Sequence, residues 1–84
     1  MSVISAVVDE MRAADSKYGQ FRSSHEGLGV LTEEYAELIQ AIQANRKHPI
    51  ITEAIQVAAV ACRIAESMEN EATIRRSGCT TPSS

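Results

Sequence analysis

Glu34 and Glu37 stand three residues apart, and Glu53 and Gln56 repeat that spacing farther along the chain. In a helix this separation stacks side chains about one turn apart on a common face. Three carboxylates and an amide oxygen drawn to one seam repel each other unless a cation neutralises them. Hard oxygen donors suit Mg²⁺ or Mn²⁺ better than Zn²⁺. Mg²⁺ keeps several waters and completes its shell with substrate phosphates, so the natural ligand class is a nucleotide polyphosphate. Simple solvation is the competing reading. Glu is a good helix former, and Glu53, close to a helix N-terminus, is favoured by the macrodipole without any function.

The elements that must position these groups are helices. Val3, Ile4, Val7, Val8 and Met11 recur at spacings of three and four, which makes Ser2 to Tyr18 an amphipathic helix stopped by Gly19. Gly19 to Ser24 reads as a connection carrying Phe21, with Ser24 as N-cap of a second helix reaching Asn45 or Arg46. Its stripe is Leu28, Leu31, Tyr35, Leu38, Ile39 and Ile42, and Glu34 and Glu37 border that stripe. Gly27 and Gly29 weaken its first turns by roughly 1 kcal/mol each, or permit close approach of another backbone or a ligand. Pro49 disfavours helical geometry at His48, so a third helix is expected to begin near Ile50 to Thr52 and to continue at least to Met68. That helix is apolar over more than half its circumference, with Thr52, Gln56, Arg63, Glu66 and Ser67 in one narrow polar sector. A face this wide needs cover on more than one side, which implies a dimer or larger assembly. The expectation is an all-α fold. An antiparallel hairpin of the second and third helices, plus the N-terminal helix, would form an oligomeric core of four-helix-bundle type, with residues 1–76 as one domain and 77–84 as a flexible tail.

Composition agrees and narrows the function. The chain has 84 residues, 44% of them hydrophobic, but only two Tyr and one Phe, so its apolar content is mostly aliphatic. A core of this size is marginal alone and calls for a partner subunit or a metal. A net charge of −3 argues against a sequence-independent nucleic-acid binder. Cys62 and Cys79 show no paired spacing, and no basic leader or long apolar run is present, so a cytoplasmic protein without membrane contact is expected.

Ser24-His25-Glu26-Gly27-Leu28-Gly29-Val30-Leu31-Thr32-Glu33-Glu34-Tyr35-Ala36-Glu37-Leu38, followed by Thr52-Glu53-Ala54-Ile55-Gln56-Val57-Ala58-Ala59-Val60, resembles the MazG-like all-α nucleoside triphosphate pyrophosphohydrolases. The lead-in Lys17-Tyr18-Gly19-Gln20-Phe21 is similar to that of short, phage-type members. That family pairs ExxE on one helix with ExxD on the next. Glu34, Glu37 and Glu53 match, whereas Gln56 stands where the closing Asp is expected. Gln offers an oxygen but no charge, so cations would be held less tightly and a second metal would suffer most.

The resemblance implies hydrolysis between the α and β phosphorus atoms of a nucleoside triphosphate, giving the monophosphate and pyrophosphate. Glu34, Glu37 and Glu53, with Gln56 as a lesser ligand, would hold Mg²⁺ or Mn²⁺ against the phosphates. Glu37 or Glu33 would position or deprotonate the attacking water. Lys17, within the family-like lead-in, is the first choice of positive partner, with Arg22 and His25 as further substrate contacts. Arg46, Lys47 and Arg63 are further candidates to meet the phosphates but read more simply as solvated charges. Tyr18 and Phe21, which could stack on a base, read more simply as core anchors. Neither His25 nor His48 falls in an ExxH pattern, which argues against a di-iron bundle. Self-association to a dimer or tetramer is expected. The alternative is a catalytically weak nucleotide-binding relative, or a non-enzymatic helical interaction module.

Overall fold

The computed structural model describes residues 2–78, with side chains described as far as residue 71. Three helices follow one another: α1 (Val3–Tyr18), α2 (Ser24–Gln43) and α3 (Lys47–Gly78). Among the described residues there is no strand, so the fold is all-α as expected. Among the described residues no helix is long and apolar enough to cross a membrane. The predicted tail at 77–84 lies largely outside the described residues, which end with the helical Ser77 and Gly78.

Local chemistry sets the ends of each helix. Ser2 caps α1 by accepting a hydrogen bond from the Ser5 amide at 3.0 Å. Gly19 ends it with φ +76°, a conformation that side chains resist. The cap of α2 is Ser23, one residue before the expected Ser24: its Oγ accepts from the Glu26 amide at 3.1 Å. Glu26 reaches back to accept from the Arg22 amide at 2.8 Å, a close variant of the reciprocal capping box. At the far end, Asn45 adopts φ +58° while its amide donates to Ile42 and the Arg46 amide donates to Ala41. This pair of bonds is a Schellman closure, with Asn in the place glycine usually takes.

α3 begins at Lys47, earlier than the Ile50 to Thr52 expected from Pro49. The correction has a simple cause. Within a first turn, proline's missing N–H is one that the helix could not have bonded anyway, and the restriction on His48 is outweighed. The Thr52 hydroxyl, which donates to the His48 carbonyl at 3.2 Å, supports that turn.

α3 packs against both other helices, whereas α1 and α2 do not pack against each other. Gly27, in the first turn of α2, lies against Ile64, more than four turns into α3, and a short connection joins the two helices, so the hairpin is antiparallel. α1 presents Val7 as its buried residue, with Met11, Ala14 and Asp15 half-buried. The face of α2 turned to α3 carries Gly27, Leu31, Glu34, Leu38 and Ala41, rotated from the expected stripe. Leu28, Tyr35 and Ile42 of that stripe remain 54–57% exposed. Val3 and Ile4 are also largely exposed, and no large side chain is fully buried among the described residues. The radius of gyration is 15.5 Å, against ~12 Å for a globular chain of this length. One copy thus has a thin core of Val7, Ala41, Ala59 and Val60.

The polar sector of α3 is a second correction. Arg63 is no solvated charge: with Ser67 it is buried, and both tie down the connection between α1 and α2. Arg63 Nε donates to Asp15 Oδ1 at 2.9 Å and Nη2 donates to the Gly19 carbonyl at 2.9 Å. Its guanidinium also lies 4.3 Å from the centre of the Phe21 ring, a stacked cation–π contact. Ser67 Oγ accepts from the Phe21 amide at 3.2 Å.

The glycines of α2 provide a paired test. A Cβ at Gly27 would lie 2.5 Å from Ile64 Cγ1, whereas at Gly29 it would meet open space. Gly29→Ala is therefore expected to stabilise the protein by up to ~1 kcal/mol, through helix propensity alone. Gly27→Ala is expected to destabilise it by about 1–3 kcal/mol, since overpacking at the seam outweighs that gain. Urea denaturation of both variants measures the difference.

Candidate functional site

The seam between α2 and α3 gathers three of the expected acids. Glu34 and Glu37 come from α2 and Glu53 from α3, and one carboxylate oxygen of each lies within 4.8 Å of the others. Glu34 and Glu53 are half-buried, and Glu37 is exposed. The antiparallel hairpin makes this possible. Glu53 sits just beyond the Schellman turn on α3, and Glu37 sits shortly before it on α2, so both face the seam at one level.

Crowding marks the electrostatics. The Glu53 carboxyl is pushed up to about 7, first by its hydrogen bond to Glu37, then by desolvation and by the charges of Glu37 and Glu34. Glu34 is also raised, chiefly by burial, then by the charges of Glu37 and Glu33, with smaller contributions from a hydrogen bond to Glu37 and from Glu10. Mutual repulsion is thus relieved while Glu53 keeps its proton, up to about pH 7. The donor set consists of oxygens alone, which fits a hard divalent ion of the Mg²⁺ or Mn²⁺ kind.

Beside the cluster opens a cleft of about 690 Å³. Its floor is α3, through Gln56, Ala59, Val60 and Arg63, and its walls are Ala14 and Lys17 of α1 and Val30 and Glu34 of α2. Phe21, in the connection between α1 and α2, also lines it. Glu34 belongs both to this lining and to the acid cluster, so the two features are continuous. The volume is that of an ordinary small-molecule site.

The other expected residues are distributed unevenly. Gln56 lines the cleft, one helical turn from Glu53. Lys17 lines it too, with Nζ 5.2 Å from the centre of the Tyr18 ring. Tyr18 is 71% exposed, so it is not the core anchor that was expected, and Phe21 is only half-buried. Glu33 is exposed and acts on the cluster through the charge it presents to Glu34. Arg22 and His25 are exposed and do not line the cleft. Sequence reasoning preferred a solvated Arg63, whereas the structure makes it a cleft residue. Its spacing of seven from Gln56 and four from Ser67 put it on the polar sector of α3, but nothing in the sequence showed that this sector faces α1.

The raised Glu53 carboxyl sets the pH dependence of the metal-free protein. Between pH 4.5, its ordinary value, and about 7 the folded chain binds more protons than the unfolded one. Stability contributed by this site therefore falls as pH rises through that window and stays low above it. Melting of the metal-free protein is expected at a lower temperature at pH 8 than at pH 5.5. Glu37→Gln, which removes the charge that opposes Glu53 ionisation, is expected to flatten that dependence in a thermal scan across pH.

No protein-family model matches this chain, and no curated protein and no solved structure matches it either.

Proposed function

We propose that the protein is a MazG-like, Mg²⁺-dependent nucleoside triphosphate pyrophosphohydrolase, acting in the cytoplasm as a homo-oligomer. The observation that carries this reading is the convergence of Glu34, Glu37 and Glu53 from two helices at the edge of a cleft of nucleotide size. Three exposed acids of a solvated face would spread apart to reduce their repulsion, whereas these share one small space.

Glu34, Glu37 and Glu53 would hold the ion. Once bound, it would neutralise the phosphates and acidify a water for attack. Because Glu34 belongs to both cluster and cleft, an ion held there would meet the phosphate end of a ligand in the cleft. Glu37 or the neighbouring Glu33 would hold the attacking water and take its proton. Lys17, with an ammonium that makes no ion pair among the described residues, would meet a phosphate oxygen. No side chain needs to form a covalent intermediate.

Self-association rests on the thin core. Leu28, Tyr35 and Ile42 on α2, with Ile51, Ala54, Ala61 and Ala65 on α3, leave an apolar surface open in one copy. Covering it with a second copy would complete a four-helix arrangement and supply the missing burial.

Pyrophosphate release from nucleoside triphosphates in Mg²⁺ or Mn²⁺ is the test. Activity is expected in the wild type, with a loss of about a hundredfold or more in Glu37→Gln. Mn²⁺ binding, followed by its electron paramagnetic resonance signal, is expected to weaken in the same variant. Inertness toward every triphosphate, with sedimentation still showing an oligomer, would favour the helical interaction module instead.

A further inference from the structure

We propose that Gln56 reads the heterocycle of the bound nucleotide rather than completing the metal shell. It lies one turn beyond Glu53 on α3, but the two side chains serve different spaces. Glu53 joins Glu34 and Glu37 and does not line the cleft, whereas Gln56 lines the cleft floor and carries no charge to attract a cation.

The surroundings give this amide a specific task. Gln56 is half-buried and makes no hydrogen bond among the described residues, so two donors and an acceptor remain for a ligand. Arg63, the other polar group of the floor, is already engaged by Asp15, Gly19 and Phe21. Val30, Ala59 and Val60 supply apolar contact for the faces of a flat ring. A planar heterocycle with a polar edge matches such a lining: its faces lie against the aliphatic groups and its edge meets the amide. An edge with the wrong donor and acceptor pattern would leave Gln56 unpaired, and that mismatch is the source of selectivity.

The pyrophosphohydrolase reading enters here only in fixing a nucleotide as the ligand class. The test therefore uses nucleoside monophosphates of adenine, guanine, cytosine, uracil and thymine without any divalent ion, titrated into the ¹⁵N-labelled full chain. Side-chain amide signals of Gln56 are expected to shift with at least one of them. Gln56→Leu is expected to weaken that ligand about tenfold and to reduce discrimination among the five. Binding of Mn²⁺ alone is expected to be unchanged in the variant. Should Gln56→Leu fold poorly, Gln56→Glu keeps the shape, removes the donors and is expected to weaken the same monophosphate. The inference is overturned if no monophosphate moves the Gln56 amide, or if Gln56→Leu loses Mn²⁺ affinity while binding monophosphates normally. Pyrophosphate release from a protein whose Gln56 amide stays unmoved would sink this inference alone. Monophosphate binding through Gln56 without any hydrolysis would sink the enzyme reading alone.

Discussion

The buried guanidinium of Arg63 is the tie on which the cleft depends. α1 and α2 make no packing contact with each other, so their separation is set entirely by how each meets α3. Arg63 fixes α1 through Asp15, closes its C-terminus through the Gly19 carbonyl and holds Phe21 by stacking. A buried cation is costly unless its charge and its donors are met, and here one carboxylate, one carbonyl and one ring meet them. Ser67 adds a hydrogen bond to the Phe21 backbone, so the connection between α1 and α2 is held at two points one turn apart on α3. The open space between the walls follows from this anchoring rather than from any contact across it.

A tension runs between that scaffold and the acids it carries. Glu34, Glu37 and Glu53 crowd one small space; Glu53 is raised first by its hydrogen bond to Glu37, and Glu34 chiefly by burial and then by its charged neighbours. Among the described residues the surrounding core is small, with Val7, Ala41, Ala59 and Val60 as its buried apolar residues. A chain with so little apolar burial gains nothing structural from crowding like charges at its central seam. Under the proposed function, a bound cation would remove this local conflict with stability.

Much of this was legible in the residues. The spacing of Val3, Val7 and Met11, the stop at Gly19 and the breadth of apolar positions on α3 follow from helical periodicity alone, and so does the all-α fold. The three-residue spacings of the acids, together with a short connection, were enough to expect Glu34, Glu37 and Glu53 at one seam. Less legible was rotation about each helix axis. Periodicity shows that Leu28, Leu31, Tyr35 and Ile42 share a face, but several faces of α2 are apolar enough to pack. The choice of the Gly27–Ala41 face depends on the absence of a side chain at Gly27, which lets Ile64 approach. Arg63 was misread for a similar reason. An arginine among polar neighbours looks solvated until the tertiary partner, here Asp15 at a distance of 48 residues, is known.

The Schellman closure at Asn45 has a consequence for how the chain tolerates changes in length. It joins α2 to α3 with so few residues that the two helices start in a fixed angular phase. One residue inserted between Lys47 and Thr52 would swing Glu53 about 100° around the α3 axis and scatter the acid trio. Natural length variation is therefore expected outside this corner. The bend itself acts as a gauge block for the seam.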